Sequence, residues 1–453
     1  MSTTSVDRVP PLMKFGYSSA DLGANLAYHS TGFYLMFFFT DVFGILPALA
    51  GTIFLYSKVW DAISDPIMGA IADRTKSRWG RFRPYLLFGS VPLGLTIFLL
   101  WFAPDISENM RFVYGLAAFM LFSTAITVVL VPYHAITPSL TLDSHERSVV
   151  LGFRAVFSII GTLIAAGATL ALVGVFGGED QIIGFRRVGL LYGALVAGVI
   201  LFCFATVRER VQPAGEKTKT SVREYLNVVK QNPPFIILSL GVLMNMTGMN
   251  ILAVVVTYFL KYNLGAENLV PVAFVCLFVA AAASMPLFVF ISKKTSKKTA
   301  YNIGMGIVMA MLLVIFFVGE INVWLTIGIF ALAGVGLSTN WLNPWSMIAD
   351  TVEYSQWKTG LRREGILYGI FYFVQKLCTA IGGFLVGTIL AYVGYVANVD
   401  QTPQALSGIR SVFTLVPIAF LLVGIVLISF YPINAALHKK ITNEIEVRES
   451  AGE

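Results

Sequence analysis

Apolar runs of about twenty residues recur from one end of this chain to the other, separated by short polar connections, and this pattern restricts its fold more than any other property. A helix of that length matches the hydrocarbon core of a bilayer, and within lipid every backbone polar group must be satisfied inside the segment. The strands of a membrane barrel would instead alternate over about ten residues between turns. With 57% hydrophobic and 13% charged residues among 453, the chain reads as an all-α polytopic membrane protein. Roughly twelve helices are expected, near 14–43, 46–73, 84–104, 112–139, 149–175, 186–207, 235–262, 268–292, 299–319, 322–350, 365–396 and 408–436.

The longest polar stretch inside the chain runs from Arg208 to Pro234 and contains Pro213, Gly215, Lys217, Lys219, Arg223 and Lys230. It divides an N-terminal six-helix bundle, 1–207, from a C-terminal one, 235–437, with a cytoplasmic linker at 208–234 and a cytoplasmic tail at 438–453. Two such bundles with substrate held at mid-membrane are the plan of many secondary transporters. No sequence repeat between the halves is legible. The net charge of +7 does not point to nucleic acid, because the basic residues cluster in the loops after the second, sixth, eighth, tenth and twelfth helices. Those loops share one side if both termini are cytoplasmic; Arg186 and Arg187 fall on the other. Met1 to Met13 lacks the apolar core of a cleavable signal, so the first helix serves as the membrane signal.

Cys203, Cys276 and Cys378 lie inside expected helices without paired spacing, and His29, His134, His145 and His438 are scattered. Neither a disulfide nor a His/Cys metal cluster is expected, and no phosphate loop or Ser-His-Asp arrangement is present. The chain is therefore not read as an enzyme, and no cofactor is expected beyond a coupling cation.

Asp61 and Asp65 stand one helical turn apart inside the second apolar segment. A carboxylate at bilayer depth costs at least ~2.5–3.5 kcal/mol, so a second one on the same helix face needs a compensating positive charge. Na⁺, which takes hard oxygen ligands, or a shared proton would supply it. If sodium is the coupling ion, Asp61 and Asp65 are its metal ligands. The competing reading pairs one of them with Lys58 or Arg154.

The run from Lys58 through Asp61, Ser64, Asp65, Pro66 and Gly69 to Asp73-Arg74-Thr75, Arg78-Trp79-Gly80-Arg81 and Arg83-Pro84 resembles the signature of the glycoside-pentoside-hexuronide:cation symporters, the branch of the major facilitator superfamily that contains the melibiose and glucuronide permeases. Further blocks agree in order and spacing: Gly16-Tyr17 with Asp21 and Asn25; Val131-Pro132-Tyr133 with Asp143, Glu146 and Arg147; and Asp350, Glu353, Trp357, Gly360, Arg362, Glu364 and Gly365. Glu353 stands where an aspartate is more usual. The resemblance implies the major facilitator fold, and a cation held by Asp61 and Asp65 with help from Ser64 and Thr127. It also implies sugar contacts by Asp21, Arg154, Lys376 and Trp341, which suit a charge-assisted clamp on hydroxyls and an indole under a pyranose ring, the competing readings being an ion pair between Asp21 and Arg154 and bundle packing for Trp341. Tyr28 and Asn25 share roughly the face of Asp21.

Several positions depart from the melibiose permease. Leu130 replaces a second sugar-binding aspartate, His134 a tryptophan, Ala20 a lysine, Phe371 a pocket glutamine and Ser64 an asparagine. Galactoside recognition is not carried over, and the less negative pocket favours an anionic sugar such as a hexuronide or a sulfonated sugar. Arg74, Arg78, Arg81 and Arg83 are expected to meet Asp143, Glu146, Asp350, Glu353 and Glu364 in a charge network that opens and closes the inner side. The expected activity is import of sugar with Na⁺ or H⁺ by alternating access. The setting is a bacterial inner membrane, with lipid, sugar and cation as the only partners and a monomer sufficient for function. Two alternatives are an amphiphile symporter, with Phe371, Tyr372 and Phe373 lining an apolar slot, and a transport-inactive sugar sensor.

Overall fold

The computed structural model describes residues 8–141, 143–210 and 227–451. Helices account for nearly all of them. In the first part of the chain these are α1 (Pro11–Phe37), α2 (Pro47–Arg74), α3 (Arg83–Leu100), α4 (Glu108–Leu140), α5 (Ser144–Gly177) and α6 (Gln181–Thr206). Then follow α7 (Pro233–Tyr258), α8 (Val270–Lys294), α9 (Lys297–Val318), α10 (Val323–Thr359), α11 (Glu364–Tyr392), α12 (Pro403–Phe413), α13 (Leu415–Ser429) and α14 (Ala435–Ala451). Most of the linker, with Pro213, Gly215, Lys217, Lys219 and Arg223, lies outside the described residues.

Local sequence explains where the helices begin. Pro11, Pro47, Pro84, Pro233, Pro271 and Pro403 occupy first-turn positions, where a missing N–H costs nothing. Asp143, Asp180, Asn232, Ser296, Asn322 and Thr402 accept backbone N–H groups as N-caps. The end of α10 is set by Gly360, whose φ of 72° suits a residue without a Cβ. Pro66 interrupts α2 immediately after Asp65 and removes the N–H that would bond the Ala62 carbonyl.

Ten helical segments among the described residues are long and apolar enough to cross a membrane, with α12 and α13 together forming the last. Although α1 and α2 match them in length, their polar residues, Asp21 and Asn25 in one and Lys58, Asp61 and Asp65 in the other, keep them below that standard. The residues that lower their apolarity are those the sequence marks as functional.

Two compact units emerge: Met1–Glu216 with Gly383–Asp400, and Lys217–Gly382 with Gln401–Glu453. In the first, α1 packs on α5 and α6, α2 on α4, and α3 on α4 and α6. In the second, α7 packs on α13, α8 on α10, and α9 on α10 and α13. Thus α1/α6, α2/α4 and α3/α4 recur as α7/α13, α8/α10 and α9/α10, a repetition hidden in the sequence. A π-helical turn also closes both first helices, Phe38–Val42 after α1 and Phe259–Asn263 after α7. The expected tail is helical: α14 lies on α10, where Trp357 Nε1 donates to Glu444 Oε2 at 2.6 Å and Arg448 to the Trp357 carbonyl at 2.9 Å.

Candidate functional site

Asp61 and Asp65 project from one face of α2 towards Thr127 on α4. Thr127 Oγ1 lies 3.0 Å from Asp61 Oδ1 and 2.8 Å from Asp65 Oδ1, so one hydroxyl joins both carboxylates. Ser64 Oγ donates to the Asp61 carbonyl at 3.0 Å and approaches Thr127 Oγ1 at 3.4 Å. Four oxygen-bearing side chains therefore converge, and three of them lie within one helical turn. Asp61 and Thr127 are buried, while Asp65 and Ser64 are partly exposed. Lys58, also buried, places Nζ 4.0 Å from Asp61 Oδ2. The Lys58 contact weighed from sequence is thus present, while Arg154 pairs elsewhere.

Arg154 on α5 grips Asp21 on α1 side-on: Nε donates to Oδ2 at 2.6 Å and NH2 to Oδ1 at 3.1 Å. The same guanidinium donates to Thr137 Oγ1 at 3.2 Å and to His134 Nδ1 at 2.8 Å, both on α4. A guanidinium has no acceptor, so His134 Nδ1 must be the acceptor and the ring proton sits on Nε2. The exposed His134 consequently keeps its Nε2 N–H as a donor. Tyr133 donates to Asp21 Oδ2 at 2.6 Å, and Tyr17 and Tyr133 each reach the other's carbonyl at 2.8 Å. Asn25 spends its amide on the Asp21 carbonyl at 2.8 Å. Tyr28, 38% exposed, has Lys58 Nζ 5.1 Å above its ring.

These contacts change the charge argument drawn from sequence. Asp21 and Arg154 neutralise each other, so this clamp is dipolar and suits hydroxyls as well as an anion. Tyr17, Tyr133 and Thr137 were not singled out as site residues. Helical spacing held the clue, since Tyr17 precedes Asp21, and Tyr133 precedes Thr137, by one turn.

In the second unit, Trp341 on α10 stacks on Phe278 at 5.6 Å between ring centroids. One turn further along α10, Trp345 gathers Phe371 at 5.4 Å and Tyr372 at 5.2 Å from α11. Phe371 is 0% exposed and belongs to this packing, whereas Tyr372 and Phe373 are exposed and Lys376 is half-buried. Phe371 and its two neighbours therefore do not line one apolar slot.

The expected arginine-to-acid network is replaced in this structure by other pairs. Arg81 binds Asp73, and Arg83 donates to the Phe204 carbonyl at 2.8 Å. Glu146 is held by Lys14 at 2.6 Å, Asp350 by Lys297 at 2.6 Å, and Glu364 by Arg362 at 2.6 Å. Asp143 caps α5, Glu353 meets His438 at 2.8 Å, and Arg78 lies over Trp79. Arg74 and Arg78 form no ion pair among the described residues. Glu209, which nothing in the sequence marks, accepts the backbone N–H groups of Arg81, Phe82 and Arg83 at 3.0, 2.7 and 3.2 Å and so anchors the start of α3. Asp350, Glu353 and His438 also lie close enough together to hold a metal ion, but the Lys297 ammonium already occupies Asp350 Oδ1.

Comparison with known proteins places these clusters in context. The family described as MFS/sugar transport protein matches residues 16–435. The inner membrane symporter YicJ of Escherichia coli is 33% identical over 442 residues, 95% of this chain and 94% of the relative. The glucuronide carrier protein homolog of the same organism is 30% identical over 96% of this chain and 95% of its own. Among solved structures, a bacterial homolog to the human lysosomal transporter Spinster, inward-facing and unoccupied, superposes with a TM-score of 0.73 at 14% identity, covering 96% of this chain and 98% of that one.

Proposed function

Because the chain belongs to the MFS/sugar transport family, whose members are membrane transporters and not enzymes, we propose that it is a secondary active symporter importing a glycoside or hexuronide-type sugar with Na⁺ or H⁺ by alternating access. The observation that carries this reading is the convergence of Asp61, Asp65 and Thr127, with Ser64 beside them, on a helix where paired carboxylates are expensive unless a cation offsets them. Hard oxygens at this spacing suit Na⁺, and the same carboxylates can share a proton.

In the first unit, sugar would meet Asp21, Arg154 and the Nε2 N–H of His134; in the second, Trp341, Tyr372 and Lys376 are the residues proposed to touch sugar. Charge-assisted bonds to vicinal hydroxyls give orientation, and an indole face supplies the apolar side of a ring. Lys58 reaches both Asp61 and the ring of Tyr28, which lies two turns beyond Asp21 on α1, and this is the proposed route by which ordering one cluster restricts the other. Substrate and cation then raise each other's affinity, as linkage requires, and the loaded carrier turns inward to release both.

A glucuronide carrier homolog among the relatives supports a hexuronide. The neutral Asp21–Arg154 pair supports a neutral glycoside equally well. The proposed setting is a bacterial inner membrane with both termini cytoplasmic and a monomer as the working unit.

The test is uptake into proteoliposomes under an imposed Na⁺ or proton gradient, with a panel of neutral glycosides, hexuronides and a sulfonated sugar. Wild-type protein is expected to accumulate at least one sugar under one gradient, and Asp61→Asn to lose accumulation while keeping sugar binding. Gradient-driven accumulation by Asp61→Asn would refute the cation assignment. Binding without uptake in the wild-type protein would indicate a sensor.

A further inference from the structure

The first unit carries a groove that the sugar and cation clusters do not use. It lies between the end of α2, α3 and α4, encloses about 500 Å³, and has Pro84, Phe88, Pro92, Leu121, Ala125 and Val128 among its walls. Phe88, Val91, Leu95 and Leu121 are exposed on the same two helices, inside segments that are long and apolar enough to cross a membrane. With α3 and α4 across a bilayer, the groove would open onto acyl chains.

One end of it is polar. The hydroxyls of Thr75 and Tyr85, both lining residues, meet at 2.5 Å. From there a chain of contacts runs outward: Phe88 in the wall touches the Trp79 ring edge-on at 5.6 Å, and the Arg78 guanidinium lies 4.1 Å above the Trp79 ring. Arg74, Lys76 and Arg78 are all exposed, and none forms an ion pair among the described residues. The nearest acid in sequence, Asp73, is held by Arg81. Arg78 thus reaches the groove wall through Trp79, a residue type enriched at the membrane–water boundary, and Arg74 and Lys76 flank the lining residue Thr75 in sequence.

We propose that this groove is a binding site for a single anionic phospholipid, its acyl chain lying along α3 and α4 and its phosphate meeting Arg78 and Lys76. The match is one of charge and polarity along an axis: an amphiphile with a negative head fits a slot that is apolar along its length and cationic at its end. A zwitterionic lipid offers the same tail but no net charge, so the basic residues would not select it. Arg78 then does more than fix topology: held by the phosphate, it would anchor the loop between α2 and α3, next to the helix that carries Asp61 and Asp65.

Native mass spectrometry of the purified full-length carrier, incubated with phosphatidylglycerol or phosphatidylcholine of identical acyl chains, tests this. One phosphatidylglycerol should be retained in preference to phosphatidylcholine. Arg78→Gln should lower its retention roughly fivefold, the effect of one basic residue at an anionic surface, and leave phosphatidylcholine unchanged. Ala125→Phe, which fills the groove, should lower retention of both lipids. If Ala125→Phe does not fold, the double change Arg78→Gln with Lys76→Gln at exposed loop positions carries the test. Equal retention of the two lipids by the wild-type protein, or undiminished phosphatidylglycerol on removal of the charges, overturns the proposal.

Discussion

Arg154 donates to Asp21, Thr137 and His134 at once, and this sharing of one α5 guanidinium between α1 and α4 holds the first unit's polar interior in register. Breaking one side of a buried ion pair leaves the other charge uncompensated, at a cost of ~3–5 kcal/mol. Asp21→Asn is therefore expected to lower the melting temperature markedly, and adding Arg154→Gln to recover part of the loss, as thermal denaturation in detergent would show. Thr127 supports a sharper prediction. Its hydroxyl bridges the two carboxylates, and a hydrogen bond to a charged group contributes about 1.5–3 kcal/mol. Thr127→Val should weaken the effect of Na⁺ or H⁺ on sugar binding by at least tenfold while leaving sugar binding in saturating cation nearly intact, measurable by titration of ligand-induced thermal stabilisation. These residues were accessible from sequence in unequal measure. Asp61, Ser64 and Asp65 share a helix turn, so periodicity alone brings them together; Asp21 and Arg154 are 133 positions apart, and only their burial in different helices of one bundle joins them.

The helices differ in how much of their role can be read locally. Caps and first-turn prolines settle where they start, because those requirements involve neighbouring residues only. Side-to-side packing is another matter. Gly94 on α3 and Gly193 on α6 bring the two backbones together so closely that a Cβ on Gly193 would lie 2.4 Å from the Gly94 carbonyl oxygen. Gly193→Val is expected to destabilise by about 1–3 kcal/mol or more, the cost of overpacking against backbone that cannot yield, and to lower the yield of folded protein in size-exclusion chromatography. The π turn after α1 carries a comparable constraint. Asp41 on that turn accepts from Thr40 at 2.7 Å and from Tyr395 at 2.6 Å, while Asn398 donates to its carbonyl at 2.5 Å. Tyr395→Phe removes one of the donors to a buried carboxylate. Hydrogen exchange across 393–400 should then rise, with exchange in α3 and α6 unchanged.

For the whole molecule the central expectation is reciprocity. If the coupling cation raises sugar affinity by a given factor, typically about 5–150-fold, sugar must raise cation affinity by the same factor. Calorimetric titration in both orders checks this, and unequal factors would show that the two ligands do not share one binding equilibrium. The all-helical membrane architecture and family membership followed from the sequence, because apolar length and short motifs are local properties that tertiary contacts do not alter. The carboxylate pair was equally open to reading, since α2 presents it whatever its neighbours do. The repeated helix pairing of the two units, the Glu209 anchor on α3, the meeting of His438 with Asp350 and Glu353, and the burial of Phe371 under Trp345 were not. Each depends on how a helix is rotated about its own axis and which neighbour it faces. A helix that is apolar on nearly every side carries little periodic signal of that rotation, and packing between helices in lipid turns on small residues and a few polar contacts. The inventory of functional groups was thus written along the chain, while their partners were chosen by packing.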